Sequence, residues 1–396
     1  MPDDQRRSGV HPQTQMIHGG VLRSQFDETA EAIFMTSGYV YGSAEEAEHA
    51  FKNDGARFVY SRYRNPTVEM FEQRLAGYEG AERCFATASG MAAVAAAHLC
   101  FLKDGDRVVA SRALFGSCAW IVNELLPRFG IETETVDGTD MAAWESALSR
   151  PATAVFLETP SNPCLEIIDV PAVAALAKQA GALLLVDNVF ATPVFQKPLQ
   201  LGADVVIYSA TKHIDGQGRC LGGAVLCSHD FAEKLAPFLR HTGPALSPMN
   251  AWLLLKGLET LNLRVRAQSD SAAKIAAYLE GLPQIENLRY PGLPSHPQHA
   301  IAQRQMSGFG NLVAFDMAGG KDAAFGLLNS LDLIKISNNL GDSKSLMTHP
   351  ATTTHQRLTD EERAAVGIGP GTVRISVGLE ETDDLIADLA AAMPRS

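Results

Sequence analysis

The segment Val205-Val206-Ile207-Tyr208-Ser209-Ala210-Thr211-Lys212-His213 constrains the fold of this chain more than any other stretch. Val205 to Tyr208 carries no charge, the pattern of a strand covered on both faces rather than one alternating between core and water. Small hydroxyl residues then lead to a single lysine, and the glycine-rich run Asp215 to Gly223 follows. The mouth of a buried parallel strand is where α/β sheets bind ligands, so Lys212 is set for chemistry. Desolvation there lowers the pKa of an amine and makes it a usable nucleophile. A lysine met at random is a solvated one, and a lone strand-end lysine would carry no more than that.

A second strand changes the reading. Ala182 to Val186 is a near-continuous apolar run that ends in Asp187, and the distance to Lys212 leaves room for a short crossover between neighbouring strands. An acid ending one strand and a lysine ending the next suit a pyridoxal phosphate site. The lysine holds the aldehyde, and the carboxylate keeps the pyridine nitrogen protonated so that the ring accepts electrons. A third element is Ala86-Thr87-Ala88-Ser89-Gly90-Met91, which opens an alanine-rich helix. Ser89 can cap that helix, Gly90 allows close approach, and the free amides suit a phosphate. Ser-Gly before a helix is by itself ordinary capping; the three features together are not.

Taken together, these motifs resemble the Cys/Met-metabolism family of pyridoxal-phosphate enzymes. That family includes cystathionine γ-synthase, the cystathionine lyases, methionine γ-lyase and the homoserine-ester sulfhydrylases. The resemblance rests on Tyr60-Ser61-Arg62 with Asn65-Pro66-Thr67, Ser89-Gly90-Met91, Glu158-Thr159-Pro160-Ser161-Asn162-Pro163, Val186-Asp187-Asn188, Ser209-Ala210-Thr211-Lys212 and Arg374-Ile375-Ser376-Val377-Gly378. They occur in family order from about Ile17 to the end of the chain.

The resemblance implies a pyridoxal-phosphate transferase type I fold: a mostly parallel sheet with helices on both faces, plus a smaller C-terminal α/β domain. It implies pyridoxal 5'-phosphate bound through Lys212, with Asp187 on the ring nitrogen and Asn162 on the phenolic oxygen. Ser89, Gly90, Met91, Ser209 and Thr211 would line the cofactor site. Tyr60 and Arg62 would reach the phosphate of a neighbouring subunit's cofactor, Arg62 by a paired charged contact. Arg374, Ser345 and Lys344 would meet the substrate. A surface tyrosine, a solvated arginine and a turn asparagine are the plainer alternatives for Tyr60, Arg62 and Asn162.

The chain has 396 residues and a formal net charge of −12. That length allows two or three domains and a large core. The acidic balance without a basic run argues against a nucleic-acid partner. No run of about twenty apolar residues and no apolar leader core is present, so a cytoplasmic protein without a membrane partner is expected. The six cysteines include no Cys-x-x-Cys and read as free thiols. His296 and His299 flank Pro297-Gln298 with no third ligand suggested, and read as loop residues rather than metal ligands.

Residues 1 to 16 read as a loose polar arm. The segment from Gly19 to Arg64 has too few apolar positions for a core of its own, with one helical patch from Ala44 to Lys52, and belongs against something else. From Pro66 a helix is expected with Val68, Phe71, Leu75 and Tyr78 on one face and Gly80 at its end. Strands are expected at Arg107 to Ala110, Ala154 to Leu157, Leu183 to Val186, Val205 to Tyr208 and Gly223 to Cys227, alternating with helices. Trp252 to Leu263 reads as a long linking helix. Helices at Lys274 to Leu279, Ala323 to Leu331 and Thr382 to Met393, with strands at Asn311 to Phe315 and Val373 to Val377, follow. The expected division is an arm over 1–65, a cofactor domain over 66–258 and a C-terminal domain over 259–396.

Phe115 takes the place where most relatives carry tyrosine. Stacking on a pyridine ring survives that change, the hydroxyl does not, and plain core packing also suits Phe115. Lys344 stands where several lyases and synthases carry glutamate. Phe115 with Lys344 resembles the bacterial O-succinylhomoserine sulfhydrylases, in which a cation would suit an anionic succinyl group; a solvated loop lysine is equally consistent. The resemblance thus implies exchange of the succinyl group of a homoserine ester for sulfide, by a homotetramer built as a dimer of dimers. Cystathionine γ-synthase, using cysteine, and a γ-lyase are its rivals. A nucleotide-binding dehydrogenase is disfavoured, because no strand feeds a G-x-G-x-x-G turn with an acid after it.

Overall fold

The computed structural model of the chain describes residues 10–52 and 57–394. It falls into two compact units. One gathers Met1–Phe101, Ile207–Thr211 and Arg219–Thr260; the other gathers Leu102–Val206, Lys212–Gly218 and Leu261–Ser396.

Seven strands form the larger sheet: β1 (Arg83–Thr87), β2 (Arg107–Ser111), β3 (Glu132–Val136), β4 (Ala154–Glu158), β5 (Leu183–Asp187), β6 (Val205–Tyr208) and β7 (Gly223–Cys227). Their order is β1-β7-β6-β5-β4-β2-β3. β2 pairs in parallel with β3 and β4, and β4 with β5, whereas β1 and β7 run antiparallel. The expected mostly parallel sheet is present. Every residue of β2, β4, β6 and β7 is buried, as their mostly apolar sequences require, and the two charged members, Arg107 and Glu158, stand at strand ends. β1 and β3 were not expected as strands. They lie at the two edges of the sheet, where Arg83, Glu132 and Glu134 can meet water, so their composition does not resemble that of the inner strands.

A second sheet of five strands is ordered β10-β11-β12-β9-β8. Its members are β8 (Ile285–Arg289), β9 (Leu312–Met317), β10 (Lys335–Ile336), β11 (Leu346–Thr348) and β12 (Thr372–Ser376). β12 lies antiparallel between β11 and β9. Val313, Phe315, Met347, Val373 and Ile375 from this sheet share one core with Leu327, Leu385 and Leu389 from the helices Gly320–Ser330 and Thr382–Ala392.

Local sequence explains the helices near the site. Asn65 caps Pro66–Glu79 by accepting from Thr67 N and Val68 N, Pro66 opens it, and Gly80 ends it at φ 87°. The helix Pro248–Glu280 is continuous where two separate helices were expected. Between the two expected helices, the polar residues Arg264 and Gln268 are buried. Arg264 donates to the carbonyls of His213 and Ile214, and Gln268 to that of Asp342. Leu258, Leu261, Val265, Ala272, Ile275 and Leu279 keep the apolar face intact on either side.

The reading of a loose arm is corrected from Pro12 onward; residues 1–9 lie outside the described ones. Pro12–His18 is a helix capped by the His11 side chain, and Met16 is fully buried. Downstream, Glu31 bonds buried Arg74 at 2.5 Å and Lys256 at 2.6 Å, and Trp252 donates to the Glu31 carbonyl. Phe26, Met35, Val40 and Phe51 of the same stretch stay exposed.

Candidate active site

The first unit holds the anion-binding elements. Ser89 is the cap of the helix Gly90–Leu99, its Oγ accepting from Ala92 N at 3.2 Å, which leaves the opening amides directed at the helix mouth. A methyl at Gly90 would lie 2.6 Å from Ser209 Cβ, and one at Gly223 would lie 2.2 Å from the Ser89 carbonyl. Ser89, Gly90 and Ser209 are therefore brought together by close backbone approach, and Met91 follows in the first turn. Thr211 is tied to Gly222: its hydroxyl accepts from Gly222 N at 3.0 Å and donates to Gly222 O at 3.2 Å. These bonds fix the backbone immediately before Lys212.

Tyr60 and Arg62 lie in this unit too. The Arg62 guanidinium sits over the rings of Tyr60 and Tyr63, at 5.3 and 5.0 Å, and donates to the Arg240 carbonyl. Tyr60 is 41% exposed.

The second unit holds the reactive groups. Lys212 Nζ donates to Asn339 Oδ1 at 2.7 Å. Burial, and then the nearby Arg374, lower its pKa to about 8, so a sizeable neutral fraction exists near neutrality. Asp187 ends β5 and accepts from Val189 N at 3.1 Å; burial raises its pKa to about 7. Directly opposite in the register of β4 is Glu158. Its carboxyl is driven well above the ordinary range by burial and then by Asp187. Glu158 also accepts from Phe115 N at 2.6 Å and from the backbone of Asn162.

Arg374, on β12, is fully buried. It donates to Asn162 Oδ1 at 2.7 Å and to the carbonyls of Asn338 and Asn339 at 3.0 and 3.3 Å. Burial lowers its pKa to about 10, with Glu158 opposing the shift. Asn339 thus serves Lys212 with its side chain and Arg374 with its carbonyl. Asn162, Arg374, Asn339 and Lys212 form one chain of contacts, and the Asn162 backbone joins it to Glu158, which holds Phe115 and stands beside Asp187.

Two residues of the loop before β11 sit differently. The Ser345 hydroxyl is fully buried, accepts from Gly378 N and donates to Glu380. Lys344 Nζ lies 3.5 Å from Asp342 with its side chain 68% exposed. Sequence reasoning gave no role to Glu158 or Asn339. Glu158 was visible only as the first residue of the Glu-Thr-Pro motif, and Asn339 as one of two asparagines before a glycine.

Each unit by itself has residues that fit part of a bound pyridoxal phosphate: the first a cradle with no space for a side chain at Gly90, the second a buried carboxyl and an amine of lowered pKa. Among the described residues all six cysteines are free thiols, and no helix is long and apolar enough to cross a membrane.

Comparison with known proteins gives the family. The chain is 56% identical over 392 residues to the O-succinylhomoserine sulfhydrylase of Mycobacterium tuberculosis, covering 97% of this chain and 96% of that one. It is 48% identical to the O-succinylhomoserine sulfhydrylase of Pseudomonas aeruginosa, covering 98% and 97%. A Campylobacter jejuni structure containing N'-pyridoxyl-lysine-5'-monophosphate superposes with a TM-score of 0.92 at 32% identity, over 97% of this chain and 100% of that one. The family described as Cys/Met metabolism PLP-dependent enzyme matches residues 13–394, and the chain belongs to that family.

Proposed function

We propose that this chain is an enzyme of methionine biosynthesis that converts O-succinyl-L-homoserine and sulfide into L-homocysteine and succinate. The observation that carries the chemistry is the buried Asp187 carboxylate in the same unit as the Lys212 amine of lowered pKa. The choice of substrates within the family is supported by the likeness to two O-succinylhomoserine sulfhydrylases over nearly the whole chain.

When bound, pyridoxal phosphate supplies an electron-accepting ring. Ser89, Gly90, Met91, Ser209 and Thr211 would hold its phosphate, Asp187 its ring nitrogen, Phe115 its ring and Asn162 its phenolic oxygen. Arg374 binds the substrate α-carboxylate as a fork, already oriented by Asn162 and the Asn338 and Asn339 carbonyls. Lys212 Nζ takes the proton from Cα and shuttles one at Cβ, with Asn339 Oδ1 holding the amine in place between steps. Succinate leaves from Cγ, and hydrosulfide forms the new carbon–sulfur bond there. Hydrosulfide needs less help from a base than a cysteine thiol, which titrates around 8.5, so the absence of a hydroxyl at Phe115 is tolerated. Lys344, exposed on the loop, is set to meet the anionic succinyl end, with Ser345 supporting the same loop.

The assembly we propose is a cytoplasmic homotetramer, a dimer of dimers in which Tyr60 and Arg62 complete the neighbour's phosphate site. The chain divides into an arm over 1–65, a cofactor domain over 66–258 and a C-terminal domain over 259–396.

The test is a steady-state assay crossing O-succinyl- and O-acetyl-homoserine with sulfide and cysteine. Homocysteine from the succinyl ester and sulfide at the highest kcat/KM is the expected result. Faster formation of cystathionine from cysteine would instead make this a cystathionine γ-synthase, and 2-oxobutyrate released without an acceptor would make it a γ-lyase.

A further inference from the structure

Glu158 is a buried acid beside the proposed site for which the mechanism above has no use. It is 3% exposed, ends β4, and stands in register with Asp187 on β5. Its carboxyl accepts from Phe115 N at 2.6 Å, just before the helix Gly116–Trp120, and from the backbone of Asn162 in the turn after β4. Asn162 in turn orients Arg374 through its side chain at 2.7 Å. One carboxyl therefore fastens two segments, one bearing Phe115 and one bearing the partner of Arg374.

The geometry points to Glu158 as a positioning residue, whose carboxyl oxygens fix Phe115 and Asn162 through their N–H groups. Two carboxyls buried side by side do not both ionise, because each charge raises the cost of the other. The charged and titratable groups set against Glu158 are Asp187 on β5, Arg374 on β12 and the Cys118 thiol of the neighbouring helix. Burial and Asp187 outweigh the N–H bonds and Arg374, which pull the other way. Glu158 thus acts through the place of its oxygens and not through charge.

This inference rests on the proposed function, and three variants separate the two. Glu158→Gln keeps length and acceptor but can never be charged. Glu158→Met keeps length without the acceptor. Glu158→Asp keeps the acid but withdraws it by one carbon. The readouts are the affinity of cofactor-free protein for pyridoxal phosphate, by absorbance titration, and kcat and KM with the ester. Gln is expected within about threefold of wild type in all three quantities. Met and Asp are expected to bind the cofactor at least tenfold more weakly, with a raised KM from the displaced Asn162–Arg374 pair. Gln as weak as Met would show that charge is needed, and Met as tight as wild type would show mere filling; either overturns the inference. If Met does not fold, Asp decides, and Asp equal to or better than Gln overturns it. Wild-type protein that binds no pyridoxal phosphate would sink the proposed function instead.

Discussion

Asp187 and Glu158 occupy matched positions at the ends of two adjacent parallel strands, both buried. Asp187 has a raised folded-state pKa of about 7, against about 3.9 for a free aspartate. A raised value means that its stabilising protonated form is fully present below the unfolded pKa and is lost as pH rises through about 7. The contribution of Asp187 to the melting temperature of cofactor-free protein is therefore expected to fall between pH 4 and pH 7.5. Asp187→Asn, which never ionises, should lose less melting temperature than wild type over the same window, and the difference between the two curves isolates this residue. Parallel curves would show that Asp187 is not the group that titrates.

The cradle at Gly90 gives a prediction about space. A methyl there would lie 2.6 Å from Ser209 Cβ and 2.9 Å from its Cα, and backbone cannot move aside as a flexible side chain can. Gly90→Ala should cost about 1–3 kcal/mol of stability by overpacking and weaken cofactor affinity at least tenfold. Gly90→Ala combined with Ser209→Gly should recover part of the lost stability, since Ser209 Cβ is the nearest obstacle. Thermal melts and cofactor titration of both variants check this.

Arg374 is held by three acceptors, so its planar fork arrives at the substrate already oriented. Lysine carries the charge without the fork. Arg374→Lys should raise KM for the homoserine ester by roughly thirtyfold, about 2 kcal/mol for a lost charged hydrogen bond, and lower kcat less. A KM within threefold of wild type would remove Arg374 from the carboxylate site.

Much of this was legible beforehand, and the reason is physical. β5 and β6 are buried on both faces, so their uncharged runs announced them and placed Asp187 and Lys212 at their ends. Capping by Ser89 depends on a side chain adjacent in sequence, and was readable for that reason. Glu158 was not readable, because its role comes from Phe115, Asn162 and Asp187, gathered from three separate segments. Asn339 was hidden likewise, since it meets Lys212 only across 127 residues of chain. The continuity of the long helix depends on carbonyl partners for Arg264 and Gln268 that lie far along the chain, at His213 and Asp342, and so is not visible locally.

Assembly can be tested by complementation. Arg62 lies over Tyr60 and Tyr63 and reaches the Arg240 carbonyl, all in one unit of its own chain. If it completes a neighbour's phosphate site, Arg62→Ala should weaken cofactor binding, and Lys212→Ala should abolish turnover. Mixing the two variants should restore some activity, because one site of a mixed pair then has both groups. No recovery, with hybrids shown by mass spectrometry, would assign Arg62 to its own subunit's site.

The last prediction concerns Phe115. Its backbone N–H is pinned by Glu158 at 2.6 Å, so a change at the ring tip does not shift the residue. Phe115→Tyr should fold and bind cofactor nearly as wild type does, because stacking needs only a ring. The added phenol can take a proton from a thiol, and cysteine needs that help more than hydrosulfide. The ratio of kcat/KM for cysteine to that for sulfide should therefore rise about tenfold, about 1.4 kcal/mol of differential barrier. The ratio is measured in both proteins with the same homoserine ester. An unchanged or lower ratio would reduce Phe115 to packing and leave the preference for sulfide resting on the loop that carries Lys344.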